Sequence, residues 1–451
     1  MKKWLPGVVL FGALALVARA QSGCSSESLP VAPVVDAEAP VDAVASKDAT
    51  PSKDGSASPD AGELEGWVAW NDYDPKCRFQ VPSDRKYLPE PFEWEPCQDT
   101  EVTRKMACRR VKKKWAGIPG EFIAPGTTMF TRDDGTLMIA TVEFLGQSRR
   151  FSVFAEVDGP MKIAIHENYD GECLLSDRSG GGARYAFQVA ERDAKGKWAS
   201  GASAIGGSLD ELAPRKLLRE PSEIDHSLTA GNAGLIDLAG TIRIFSWDNP
   251  PILSRTIQAG GSYSFARTRE DFFWFSSDAP SATERIWTPE GGDQLFGGQG
   301  SDLTRGTADL STDGKDWVWG EGEGRTTTAG YLTVKIVTAP FTRDPSKLQK
   351  RVLRNDLGKG AFTAIPFAVG FGYAGHLSSR PDGQEGAMVV RLADGAAWFI
   401  PGRGASAVDF QHVLAISKDE AFLRVRDENG TNVYRVRLDS LGAFALPAGP
   451  N

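Results

Sequence analysis

The sequence has few of the side chains that most often carry out chemistry. Only 4 histidines and 5 cysteines occur in 451 residues. No H-E-x-x-H, C-x-x-C or G-x-S-x-G pattern brings any of them together; "GASAI" and "GASAV" both fail at the last place. D-x-D-x-D-G calcium loops are missing too. The glycines of "SGGGAR" precede no helical pattern, so no dinucleotide or phosphate fingerprint is present. A formal net charge of −8, with no RNP, zinc-finger or helix-turn-helix signature, argues against a nucleic-acid partner. Helical periodicity is almost absent as well. Its best candidate, "DELAPRKLLREPSEID", is expected to form a helix kept short by Pro214 and Pro221. The catalytic, metal and cofactor sets read from sequence are therefore empty.

Long apolar runs are also missing, except at the N-terminus. Lys2 and Lys3 precede an apolar stretch from Trp4 to Val17, shorter than the roughly 20 residues that span a bilayer, and small residues follow. This reads as an export signal over 1–23. Ala18-Arg19-Ala20 is one cleavage site, releasing a soluble chain at Gln21. Ser22-Gly23-Cys24 is the other, and it resembles the lipobox of bacterial lipoproteins, with Gln21 where that family has an apolar residue. The resemblance implies lipidation of Cys24 and anchoring at the cell envelope, the outer membrane favoured. The first site implies a soluble secreted or periplasmic protein. Cys24 is the odd cysteine of the five, and lipidation would shield its thiol from oxidation. Residues 24–65 are Ala-, Pro-, Ser- and Asp-rich and carry no aromatic residue. Such a segment cannot offset its own conformational entropy and reads as a disordered tether reaching roughly 35 Å.

Residues 66–125 form a Cys- and Pro-rich lead. Pro75, Pro82, Pro89, Pro91 and Pro96 oppose helix and central strand, so an irregular, extended, disulfide-pinned strap is expected. Cys77, Cys97, Cys108 and Cys173 make an even set in an oxidising compartment. Of the three possible connectivities, Cys97–Cys108 and Cys77–Cys173 are expected: one a local loop, the other tying the strap to the main domain. The run Arg109-Arg110-Val111-Lys112-Lys113-Lys114 is either a grip for an anionic polymer or lipid surface, or a solvated face with Val111 and Trp115 turned inward.

From 126 to 451 strand signals dominate. "FSVFAEV", "MKIAIHE", "TIRIFSW", "DFFWFSS", "YLTVKIV", "AMVVRLA", "AAWFIP" and "NVYRVRL" alternate or run apolar, with β-branched and aromatic enrichment. Asp-Gly and Asn-Gly pairs between them, among them Asp134-Gly135, Asp313-Gly314, Asp394-Gly395 and Asn429-Gly430, signal tight hairpins. An internal repeat selects the architecture. "FTRDDGTLMIA", "LSTDGKDWVWG" and "AISKDEAFLRV", with "FARTREDFFWF" as a weaker copy, share an apolar residue, a hydroxyl, an acid, a turn and a strand. Ser311 and Ser417 lie two units of about 50 residues apart, the spacing of propeller blades. "STDGK" resembles the turn of TolB-like β-propeller repeats, with Thr312 in the place of proline. The expected fold is an all-β propeller, with room by length for seven blades and six the alternative. The layout, early cysteines and then a propeller, also resembles exported envelope proteins of predatory soil bacteria.

Individual residues have two readings each. Ser311 to Trp317 nearly matches the Asp box of sialidase-like propellers, which is itself a structural turn. "GEGEG" (Gly320 to Gly324) and Asp133-Asp134 offer oxygen ligands or are solvated acidic turns. The four histidines read as surface or inter-strand residues. Trp274, Trp317, Trp319 and Trp398 read as core between strands, whereas Trp247 and Trp287 precede loops and are the ligand-binding candidates. The expected role is an envelope-anchored binding or scaffolding module whose partner is an envelope protein or polysaccharide. Membrane contact would be through the lipid anchor only. An enzyme acting on polysaccharide or peptide is the alternative.

Overall fold

The computed structural model describes residues 79–80, 92–112 and most of 128–448, all within the unit Ser58–Asn451. Cys24, Cys77, Trp115, His226 and the leader and tether lie outside the described residues.

Three short strands come from the Cys-rich lead: β1 (Phe79–Gln80), β2 (Trp94–Pro96) and β3 (Cys108–Val111). Sheet 1 follows with β4 (Thr128–Thr131), β5 (Leu137–Leu145), β6 (Arg149–Glu156) and β7 (Met161–Glu167). Sheet 2 holds β8 (Cys173–Gly181), β9 (Arg184–Arg192), β10 (Trp198–Ser208) and β11 (Arg215–Glu220). Sheet 3 holds β12 (Ser227–Gly231), β13 (Gly234–Leu238), β14 (Ile242–Phe245) and β15 (Leu253–Ile257). Sheet 4 holds β16 (Tyr263–Arg269), β17 (Phe272–Ser277), β18 (Thr283–Thr288) and β19 (Gly292–Leu295). Sheet 5 holds β20 (Arg305–Thr312), β21 (Asp316–Arg325), β22 (Tyr331–Pro340) and β23 (Arg351–Leu357). Sheet 6 holds β24 (Ala368–Gly370), β25 (Tyr373–Ser379), β26 (Glu385–Arg391) and β27 (Ala397–Pro401). Sheet 7 is built on β28 (Asp409–Ile416), β29 (Glu420–Asp427) and β30 (Gly430–Arg437).

Every sheet is an antiparallel meander. Its strands bury one or both faces, as in β29, where seven of eight residues are buried or half-buried. Successive sheets touch mainly through their first strands, and the order closes, β28 of sheet 7 resting on β4 of sheet 1. The ring is a β-propeller, and closure leaves short edges in place of a long exposed one.

Sheet 7 is completed by the other end of the chain. β3 pairs antiparallel with β30, Cys108 opposite Val436 and Arg110 opposite Tyr434, and β2 adds an outermost strand. Among the described residues of the lead, three short segments are regular strands, and the Cys97–Cys108 link pins β2 to β3. Pro96 sits at the end of the edge strand β2, where no ladder donor is needed. Cys97 and Cys108 are bonded across this hairpin. The loop between them carries Val102 and Met106 into the core of sheet 7, beside Leu441 and Phe444 from the C-terminal 3-10 segment.

The four repeat copies fall on the first hairpin of sheets 1, 4, 5 and 7, so Ser311 and Ser417 stand two sheets apart. In the Asp-box-like copy, Asp313 Oδ1 accepts the backbone N–H groups of Lys315 and Asp316, and Gly314 takes φ +83°. Two local readings are corrected. "RKLLRE" is β11 and not a helix; six residues between prolines are too few for a stable helix, and β10 offers a ladder. "GEGEG" lies inside β21 and not on a loop, and Glu321 there accepts from the Trp319 indole N–H and from Lys350.

Candidate ligand-binding rim

A meander places its first and third turns at one end and its second turn at the other. The chain passes from each outer strand to the next inner one, so the first and third turns of sheets 1 to 6 and the first turn of sheet 7 share one rim. Most charges on this rim are paired with each other. Arg391 and Asp394 form a two-pronged pair in the third turn of sheet 6, which holds the Asp394 carboxyl down to about 2. Arg343 binds Asp271 and Glu290, joining sheets 4 and 5. Arg435 binds Glu420 and Asp158 and lies over the Trp94 ring, joining sheet 7 to sheet 1. Two cations of the basic run are paired in the same way, Arg110 with Glu95 and Asp427 and Lys112 with Glu93, while Arg109 donates to the Trp94 carbonyl and Val111 is buried. Lys113 and Lys114 lie outside the described residues.

One residue departs from this pattern. β24 and β25 are joined by a two-residue turn, Phe371-Gly372, with Gly370 opposite Tyr373. Both turn residues have positive φ, 52° at Phe371 and 80° at Gly372. This is the geometry that selects Asn-Gly or Gly-Gly, because a Cβ crowds the following carbonyl there. Phe371 is the only non-glycine with positive φ among the described residues. Phe371 is also the most exposed large apolar residue among them, at 53%. Strain and exposure of an apolar ring are each unfavourable for folding, and strain of this kind collects at functional sites. Sequence reasoning missed Phe371 because "AVGFGYAG" reads as one apolar run with no Asn or Asp to mark a turn.

The tryptophan candidates divide. Trp247 is half-buried in the third turn of sheet 3, on this same rim, with the Arg184 guanidinium 5.3 Å from its ring centroid. Trp287 lies within β18 and is only 8% exposed. It stacks on Phe273 at 5.1 Å, and the Arg255 guanidinium lies 5.0 Å from its ring centroid. The exposure expected of Trp287 is not found; cross-strand pairing with Phe273 turns the indole against its own sheet. Trp274, Trp317 and Trp319 are core as expected, and Trp398 is half-buried.

His376 on β25 and His412 on β28 are buried where sheets 6 and 7 meet, and His376 stacks on Phe367 at 4.5 Å. Burial pushes both imidazoles down to about 4, His412 opposing charge on His376 and Arg424 opposing charge on His412. Both are neutral inter-strand residues at pH 7. Among the described residues no group of three or more His, Cys, Asp or Glu is placed to hold a metal. Cys173 begins β8, and its expected partner Cys77 lies outside the described residues.

The class is therefore defined by topology: an all-β propeller whose last sheet is shared by both ends of the chain. No protein-family profile matches the sequence, and no curated protein matches it. Three solved structures illustrate the likeness of fold. The β-propeller domain of the Trilobed protease from Pyrococcus furiosus shares 11% identity over 70% of this chain and 95% of its own, with a TM-score of 0.45. Oligogalacturonate lyase from Vibrio parahaemolyticus shares 10% over 79% and 98%, with a TM-score of 0.49. The N-terminal domain of Nup159 shares 10% over 79% and 98%, with a TM-score of 0.37.

Proposed function

We propose that the chain is an exported, envelope-anchored β-propeller that binds or scaffolds a partner through the rim bearing Phe371. The observation that supports this is the coincidence of an unfavourable backbone and an exposed aromatic ring at one hairpin tip. Backbone geometry alone favours asparagine or glycine at position 371, so a phenylalanine there is best explained by use of its ring. Trp247 belongs to the same rim and is the second contact. Lipidation of Cys24 would hold the propeller at the envelope, with residues 24–65 as the tether. Mass spectrometry of the mature N-terminus tests the anchor, and a chain starting at unmodified Gln21 would remove it. Co-sedimentation of the purified chain with isolated cell envelopes tests the rim. The wild type is expected to be retained and Phe371→Asn to be released; equal retention would end the reading.

A propeller enzyme acting on polysaccharide or peptide has one observation in its favour. Asp316, on the rim at the start of β21, has its carboxyl pushed up by burial and by neighbouring Asp313, with Arg351 and Lys315 acting the other way. A carboxyl shifted in this direction is closer to the range in which a general acid works. Release of new reducing ends or amines from a bound polymer, abolished in Asp316→Asn, would favour that reading over simple binding.

A further inference from the structure

The first turns flanking Phe371 suggest what the rim binds. β24 touches β20 on one side and β28 on the other. A Cβ on Gly370 would lie 2.8 Å from the Ile416 carbonyl oxygen, so the Phe371 turn abuts the end of β28. The turn that follows β28 carries Lys418, and the turn that follows β20 carries Lys315. Three successive first turns therefore present lysine, phenylalanine and lysine around the inner edge of one rim.

These lysines differ from the other cations nearby. Arg391, Arg343, Arg435, Lys347 and Lys350 all have carboxylate partners. Lys315 and Lys418 are exposed, and among the described residues neither stands in an ion pair, although Lys315 lies close enough to Asp316 to act on its carboxyl. Asp313, beside Lys315, is turned onto its own loop, capping two backbone N–H groups. Asp419 is exposed beside Lys418. Arg269 adds a third cation. Its guanidinium lies flat on Gly314, where a Cβ would meet Nε at 2.5 Å, and that Nε is buried without a hydrogen-bond partner.

We propose that this site takes an anionic polysaccharide, one sugar face stacked on the Phe371 ring and its carboxylates reaching Lys315 and Lys418. The proposal rests on the binding role assigned to the rim above and names its ligand class. A protein partner fits less well. Stable protein interfaces cover roughly 800 Å² a side around clustered apolar anchors, whereas this hairpin tip offers a single ring amid charges that already satisfy each other. A sugar ring needs only one aromatic face, and its charged groups stay hydrated while pairing with mobile lysines.

The test is calorimetric titration of the full chain with oligogalacturonate, neutral dextran and poly-glutamate. Oligogalacturonate is expected to bind, more weakly as salt rises, and dextran and poly-glutamate are not. Phe371→Asn is expected to weaken binding about five- to tenfold, the scale of one lost stacking contact, while raising the thermal midpoint. That rise separates loss of the ring from damage to the fold. Lys315→Gln with Lys418→Gln should weaken binding and flatten its salt dependence. Failure of the wild type to bind oligogalacturonate, or equal binding of dextran, overturns the ligand class. Poly-glutamate binding that Phe371→Asn abolishes also overturns the class but leaves the rim standing as a protein-binding site. Oligogalacturonate binding untouched by Phe371→Asn overturns both the ligand class and the site.

Discussion

Sheets 4 and 5 meet across a seam made of rings. Phe272, Trp274, Phe296, Trp317 and Trp319 are buried together, Phe296 and Trp317 with centroids 4.8 Å apart and Trp274 edge-on to Trp317 at 5.5 Å. Each indole N–H is satisfied locally, Trp274 by the Leu310 carbonyl, Trp317 by the Thr342 carbonyl and Trp319 by Glu321. Where the chain ends meet in sheet 7, the joint is polar. The Asp427 side chain is fully buried and accepts from the Tyr434 hydroxyl at 3.0 Å and from Arg110 Nη1 at 3.2 Å. Arg110 also donates to Glu95 at 2.8 Å, and burial together with Asp427 pushes the Tyr434 phenol up. The apolar seam joins sheets that are consecutive in the chain and need no further instruction to find each other. The joint brings together segments more than 300 residues apart, and a charged network rewards only one register of β3 on β30. Apolar packing supplies more stability per contact, whereas the ion network supplies selectivity at a desolvation cost.

The largest test of this contrast is Trp317→Ala. Trp317 is 0% exposed, and removing its ring should cost about 3–5 kcal/mol in denaturant unfolding, the range for a buried Trp or Phe. Asp427→Ala should cost about 3 kcal/mol, because it strands the Arg110 charge and the Tyr434 hydroxyl in a buried site. Replacing Arg110 and Asp427 together by apolar residues of similar volume should restore most of that loss. If the double variant is as unstable as Asp427→Ala alone, the joint is a stabilising pair and not a register device. Opening the Cys97–Cys108 link by Cys→Ser at both positions should cost roughly 2–3 kcal/mol on loop-closure entropy. Hydrogen exchange should then rise first in β2, β3 and β30; uniform exchange over all sheets would contradict the joint as a local unit.

The smallest effect per group is that of pH on the contact between sheets 6 and 7. His376 and His412 have folded values of about 4, below the ordinary imidazole value of 6.5. The unfolded chain therefore binds more protons between pH 6.5 and 4, and stability contributed by the neutral rings is lost as pH falls through that window. At pH 5 the loss should be about 2 kcal/mol per histidine relative to pH 7.5. His376→Gln with His412→Gln should remove most of this slope, and an unchanged slope would place the acid sensitivity elsewhere.

Several features were legible in the chain because their causes are local. Alternating apolar and polar residues mark strands such as β6, β22 and β30, and glycines 135, 314 and 395 take the positive φ that Asp-Gly pairs advertise. The repeat marked first hairpins because acids in it cap turn donors, Asp313 those of Lys315 and Asp316 and Asp134 that of Thr136. The Cys97–Cys108 pair was legible for the same reason, lying on a short hairpin.

What the sequence determined by itself, then, is the strand period, the turn chemistry and the repeat, all set by interactions within a few residues. The tertiary structure alone decided which strands share sheet 7, since the pairing of β3 with β30 depends on a ring that must close before those ends can meet. It also decided which aromatics face water. Trp287 and Phe371 both stand beside a glycine-containing turn. Cross-strand stacking on Phe273 buries the first, and a left-handed backbone packed against Ile416 lifts the second into solvent.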